Sequence, residues 1–239
     1  MDADLSPLPA AAVQDPGSAT AGHRDRLRAR LLGSGGDALA DHELVEYLLT
    51  LAMRRGDTKP LARRLLAEFG GIGPLLAADP GSLRRVAGMG DTGAAAIRIV
   101  QAAMTRVLEK PLLDAPMLAS WNALVDYLRA DMANLAIERV RVLHLDARNR
   151  LKRNEAISEG SVAEAAVHVR EVIRRALELQ SVAIILVHNH PSGDPEPSRA
   201  DIDLTRQIVQ AGKPLGIAVH DHVIVGRAHV YSMRGAGLI

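Results

Sequence analysis

The sequence has no cysteine, which excludes disulfides, thiolate nucleophiles and thiolate-ligated zinc. A bound metal would therefore take His, Asp or Glu ligands. Aromatic residues make up 2% of the chain, so the core has to be built from Leu, Val, Ile and Ala. No apolar run approaches the roughly 18 residues that span a bilayer. No basic segment followed by an apolar one opens the chain, so no signal peptide is expected. A soluble, cytoplasmic protein without a membrane partner is the expectation. Neither sign of charge dominates, since 29 Lys+Arg face 28 Asp+Glu for a formal net charge of +1. That balance excludes the strongly basic type of nucleic-acid binder but leaves room for a local basic patch. What is present is ordinary: 239 residues, 48% hydrophobic and 24% charged, enough for one or two domains with cores that need no staples. Oligomeric state is not encoded in these quantities. Of nine histidines, seven follow residue 140, and that skew points to where chemistry would sit.

Residues 1–22 are rich in Ala, Pro, Asp and Ser without a sustained period and read as a disordered tail. Residues 23–108 read as a small all-α domain. Leu27, Leu31 and Leu32 share one face, Asp41 caps a helix through Ala52, and Lys59–Phe69 stops at Gly70-Gly71. Short helices follow, the last from Thr92 to about Leu108. Residues 109–120 carry two prolines and read as a linker. Residues 121–239 alternate strands and helices, giving an α+β protein overall with an α/β second domain. Its expected strands include Glu138–Asp146, Lys152–Ser158, the continuous apolar run Val182–Val187, Ile217–Val225 and Ala228–Met233. Val169–Leu179 and Ala200–Ala211 are its expected helices beyond the opening Trp121–Asp131.

The stretch His188 to Asp201, HNHPSGDPEPSRAD, carries the chemistry. In an extended chain residues i and i+2 point to one side, so His188 and His190 can aim at one point. Three prolines stiffen the loop that follows. A helix then starts with Ser198 at its N-cap and Asp201 in its first turn, a pair that by itself is an ordinary capping arrangement. Two imidazoles, one carboxylate and a water make a catalytic zinc arrangement, and no fourth protein ligand is offered nearby.

This stretch resembles the JAMM (MPN-type) metalloprotease motif H-x-H-P-x6-S-x2-D. With the later Asp221–Gly226 (DHVIVG), it resembles the bacterial RadC family in particular. The resemblance implies a JAMM domain of cytidine-deaminase-like α/β fold preceded by a helical domain. It also implies one Zn²⁺ on His188, His190 and Asp201, with Ser198 steadying the developing oxyanion. An upstream Glu is implied to act on the water; Glu138 fits best by order and spacing, with Glu171 as the alternative. Hydrolysis of a peptide or isopeptide bond is the implied activity, on a protein or peptide substrate whose identity is open. A nucleic-acid hydrolase and a non-catalytic repair or interaction module are the competing readings. His220 and His222 repeat the i, i+2 spacing around Asp221, but no helix-borne carboxylate follows; Asp221 and His222 are expected behind the metal ligands or in packing. His144 and His168 are expected to be structural or exposed, and Asp194 and Glu196 to be solvated loop charges.

In the helical domain, Val86–Ile97 reads as helix, G-x-G turn and helix, resembling a helix-hairpin-helix. Gly88 and Gly90 would let backbone N–H groups approach a DNA phosphate, with Arg84, Arg85 and Arg98 nearby. Asp91 and Gly93 occupy the stretch where a phosphate-binding Lys is common in such hairpins. Any DNA contact would be non-specific and salt-sensitive.

Overall fold

The computed structural model describes residues 16–53, 56–117, 121–160 and 167–239. The expected tail is corrected at its boundary: α1 runs Pro16–Ser34. Proline at the first helical position loses no hydrogen bond and arrives with its φ preset. The tail before Pro16 lies outside the described residues. Leu27 is buried, while Leu32 is 80% exposed, so the buried stripe of α1 is narrower than its leucines suggest. Helix α2 spans Asp41–Ala52, but its N-cap is Ala40 rather than Asp41. The Ala40 N–H donates to the Glu43 carboxylate at 3.0 Å, leaving Asp41 in the first turn, where an anion suits the helix dipole.

Helix α3 (Lys59–Phe69) ends as expected on Gly70, whose φ of 79° is left-handed. The short helices α4 (Ile72–Ala77) and α5 (Pro80–Arg85) follow. Leu49, Leu65, Leu75, Leu83 and Ile97 meet in a core without a Trp or Tyr.

Helix α6 (Asp91–Asp114) overturns the expected linker, because it continues through Pro111. Proline inside a helix costs about 3 kcal/mol. Leu112, one residue on, is fully buried among side chains of the second domain, and burying a leucine returns roughly 1.5–3 kcal/mol. Tertiary packing thus holds the last turn against the proline. Ala94 and Ile97 belong to the first core and Leu112 to the second, so α6 is a shared spine rather than a hinge. Of the linker, residues 118–120 lie outside the described residues.

Helix α7 (Trp121–Met132) leads into β1 (Glu138–Leu145) and β2 (Leu151–Gly160). Then come α8 (Val169–Glu178), β3 (Ala183–Asn189), α9 (Arg199–Gly212), β4 (Ala218–Val225) and β5 (Val230–Ser232). The sheet order is β2-β1-β3-β4-β5, with only β3 and β4 parallel. Every residue of β3 is buried, as its continuous apolar run requires. Leu143, Ile185, Val187 and Val223 pack toward α7. Val142, Ile184, Leu186 and Val219 pack toward α8 and α9. The described architecture is α+β, as expected.

Candidate metal centre

The site lies where β3, the sheet's central strand, runs out. His188 is its penultimate residue and His190 the first beyond it. Backbone bonds fix the turn: His190 N–H donates to the Val225 carbonyl at 3.0 Å, and Arg227 N–H to the Gly193 carbonyl at 2.9 Å. Gly226 makes this closure possible. A Cβ there would lie 2.6 Å from the Gly193 oxygen and 2.7 Å from Pro195 Cδ. The chain then enters α9 with Ser198 as N-cap and Asp201 three residues on.

The three side chains converge. His188 Nε2 is 2.9 Å from His190 Nε2 and 3.5 Å from Asp201 Oδ1, and His190 Nε2 is 3.7 Å from Asp201 Oδ2. Tetrahedral zinc with bonds of about 2.0–2.1 Å places its ligand atoms about 3.3 Å apart. The spacing therefore suits one small cation.

Hydrogen bonds decide which atoms carry protons. His190 Nδ1 is 2.7 Å from the Asp194 carbonyl, which can only accept, so Nδ1 donates and Nε2 keeps its lone pair. Thr205 Oγ1 donates to the Asp201 carbonyl at 2.5 Å. Having spent its one proton, it accepts from His222 Nδ1 at 2.6 Å. His222 Nε2 then accepts from His188 Nδ1 at 2.7 Å. His188 Nε2 is left as a lone pair too. On Asp201, Oδ2 accepts from the Ser198 N–H at 2.8 Å and the Ser198 hydroxyl at 2.5 Å, leaving Oδ1 toward His188. Three acceptors face one point with no donor among them. The donor set fits a divalent cation.

The local charges favour the proton-free state at His188 and His222 but not at His190. Burial pushes His188 down to about 4 and holds His222 well below the ordinary histidine value. The Asp201 carboxylate pulls His190 up. Burial alone would raise Asp201, but His190, His188 and the Ser198 bonds outweigh it and keep the carboxyl well below its usual range. Glu138 is half-buried, and burial followed by the Asp201 charge raises it, His190 opposing.

Register brings Glu138 here. Strands β1 and β3 pair antiparallel with Val140 opposite His188, so the same register carried two residues on sets Glu138 opposite His190. The buried Asn189 side chain extends the ladder. Its Oδ1 accepts the Arg139 N–H at 2.9 Å and its Nδ2 donates to the Ile137 carbonyl at 3.0 Å. One amide thus grips the peptide groups on both sides of Glu138.

Comparison with known proteins is consistent with this geometry. Residues 118–238 match the family model described as a RadC-like JAB domain, and residues 20–95 match UPF0758 N-terminal. A UPF0758 protein of Rhodobacter capsulatus is 47% identical over 213 residues, 89% of this chain and 100% of that protein. The chain belongs to the RadC family. The JAB domain of RadC is of metallohydrolase type, and JAB domains are typically metal-dependent.

Within this RadC chain the other candidates sort by contact. Glu171, the alternative to Glu138, is exposed on α8 and pairs with Arg174 at 2.9 Å. Ser198, expected at the oxyanion, donates its hydroxyl to Asp201 Oδ2 at 2.5 Å. The His220–His222 pair does not form a site. A β-bulge at His220 breaks the i, i+2 relation, since Val219 pairs with Ile184 and Asp221 with Ile185. His220 turns to Asn149 Oδ1 at 2.6 Å while His222 goes under the metal site. Asp221 accepts from the His222 and Arg234 N–H groups and from the Ser232 hydroxyl, tying β4 to β5. His144 is buried against Ser181 at 3.1 Å, His168 is exposed, and so are Asp194 and Glu196.

In the hairpin, Gly88 has a φ of 91° and Gly90 caps α6. Arg84 pairs with Asp91 at 3.0 Å, Arg85 with the Ser82 hydroxyl at 2.7 Å, and Arg98 is exposed. Gly93 serves packing: a Cβ there would sit 2.8 Å from Met89 Sδ.

Sequence reasoning missed Thr205 and the role of Asn189. Thr205 follows Asp201 by one helical turn and so shares its face, a signal that was there to be read.

Proposed function

We propose that this protein hydrolyses a peptide or isopeptide bond at a Zn²⁺ centre held by His188, His190 and Asp201. The observation that carries this reading is the convergence of three proton-free acceptor atoms beside a carboxylate of raised pKa. Zinc in such a His₂Asp set lowers the pKa of a bound water toward about 7 and polarises a carbonyl.

The side chains supply the rest. Glu138 takes the proton of the attacking water as the C–O bond forms. It returns that proton to the nitrogen as the C–N bond breaks, releasing an acid and an amine. Its raised pKa suits both halves of the transfer. Asn189 fixes the backbone on either side of Glu138. Ser198 and the relay Thr205–His222 hold Asp201 and His188 in their ligand forms.

The test offers zinc-loaded protein a set of peptides and isopeptide-linked conjugates, with Glu138→Gln as control. Cleavage is expected from the parent and not from the variant, which still binds zinc. Full activity in Glu138→Gln removes Glu138 from the reaction. Failure to bind zinc in the parent removes the metal centre itself.

A further inference from the structure

Between the helical and JAB domains lies an open cleft of about 1030 Å³ whose lining includes Pro191 and Ile137. Pro191 adjoins His190, and Ile137 adjoins Glu138, so part of the cleft's lining borders the candidate metal centre. Its volume reaches the top of the roughly 300–1,000 Å³ range of small-molecule pockets.

Its lining carries four arginines against three carboxylates. Arg98 and Arg106 line it from α6 and Arg227 from the metal loop. All three are exposed, and none forms an ion pair among the described residues. Arg227 is laid over the loop: a Cβ on Gly193 would meet its Cβ at 3.2 Å and its Cζ at 3.5 Å. Two of the facing carboxylates have partners. Asp131 pairs with Arg141 at 2.9 Å, and Asp79 caps α5 through the Ser82 N–H at 3.0 Å. Glu68 sits at the α3 end.

We propose that this interdomain cleft binds an extended acidic peptide segment and leads it to the metal centre, an inference that names the substrate class for the hydrolase reading and rests on it. Arg98 and Arg106 are eight residues apart on one helix, about 12 Å along its axis. An extended peptide advances about 3.3 Å per residue, so carboxylates four residues apart match that span on one side of the strand. A nucleic-acid strand fits less well. Phe69 is the sole aromatic of the lining, where a strand needs stacking platforms.

The experiment measures fluorescence anisotropy on the full chain carrying Glu138→Gln, so that binding is read without turnover. The probes are a short fluorescein-labelled peptide of alternating Glu and Ala, its Lys–Ala counterpart, and an oligothymidylate of matched length. The Glu–Ala peptide is expected to bind and the Lys–Ala peptide not. Arg98→Glu with Arg106→Glu weakens binding by about tenfold or more, and Arg98→Gln with Arg106→Gln by less. Arg206→Glu, half that charge change, placed on exposed α9 outside the cleft, leaves binding unchanged. Equal loss from Arg206→Glu overturns the proposal, as does tighter binding of the oligothymidylate. Cleavage of an acidic substrate with unchanged KM in the Arg98/Arg106 variants also overturns it, while leaving the hydrolase reading in place. Binding as expected with no cleavage by the zinc-loaded parent supports the cleft and refutes the hydrolase.

Discussion

Replacing Thr205 by valine should weaken metal binding without touching a metal ligand. Thr205 is fully buried, and its hydroxyl is the acceptor for the His222 Nδ1 proton at 2.6 Å. Valine leaves His222 two options. It can keep that proton unsatisfied in the interior, which costs about 1–3 kcal/mol. Otherwise it takes the other tautomer and presents a proton on Nε2, 2.7 Å from His188 Nδ1. His188 must then carry its own proton on Nε2, the atom facing the metal position, and the ion has to displace it. Loss of such an outer hydrogen bond typically lowers metal affinity 10–100-fold, about 1.4–2.7 kcal/mol. Zinc competition against a fluorescent chelator reads this directly, with thermal melting of the metal-free protein as a check on folding. Thr205→Ser keeps the hydroxyl and should hold parental affinity. A folded Thr205→Val protein that binds zinc as tightly as the parent refutes the relay.

Five further outcomes follow from named residues. Asn189→Ala removes both bonds that flank Glu138, so kcat should fall with KM and zinc affinity nearly constant, and equal loss of zinc would assign Asn189 to the metal instead. Ser198→Ala should lower zinc affinity because the hydroxyl holds Asp201; a fall in kcat alone, with zinc unchanged, restores the oxyanion role. Leu112→Ala should destabilise the fold by about 2–5 kcal/mol, and Pro111→Ala should stabilise it; denaturant unfolding reads both, and a neutral Leu112→Ala refutes the shared-spine reading of α6. His144 is pushed down to about 4 from an ordinary 6.5 by burial. The unfolded chain therefore takes up this proton first, so stability is full above pH 6.5 and falls between pH 6.5 and 4, by about 3 kcal/mol for this one group. In His144→Gln that part of the acid loss should vanish from pH-dependent denaturation curves.

The convergence of His188, His190 and Asp201 was legible because its geometry is local. His188 and His190 need only an extended chain, and Asp201 only a helix that starts where Ser198 caps it. Glu138 was legible in part, as a glutamate opening an early strand. Its approach to His190, however, depends on strand register, which no local pattern specifies. The relay was beyond reach for the same reason. His222 meets His188 across a parallel pair, and the His220 bulge that turns it there shows in no residue pattern. The linker was misread because a proline speaks for a break locally, whereas Leu112 answers to a core assembled from α7 and the sheet.

These failures share a direction. Each residue that local reading missed joins two elements: Thr205 joins α9 to β4, Asn189 joins β3 to the start of β1, and Leu112 joins α6 to the second core. Ligand identity is set by short segments, but ligand protonation and the placement of Glu138 are set by how the segments meet. Damage at Asn189 should therefore spare the fold and the three candidate ligands while degrading proton transfer. The sharpest consequence concerns Asn189→Asp. Aspartate keeps an acceptor for the Arg139 N–H but cannot donate to the Ile137 carbonyl. It also adds a negative charge beside Glu138, whose carboxyl the Asp201 charge already raises. Glu138 should then hold its proton to higher pH, and the acid limb of the pH–rate profile should move upward with it. An unmoved acid limb in a folded, zinc-loaded Asn189→Asp protein would show that Glu138 is not the group that takes the proton.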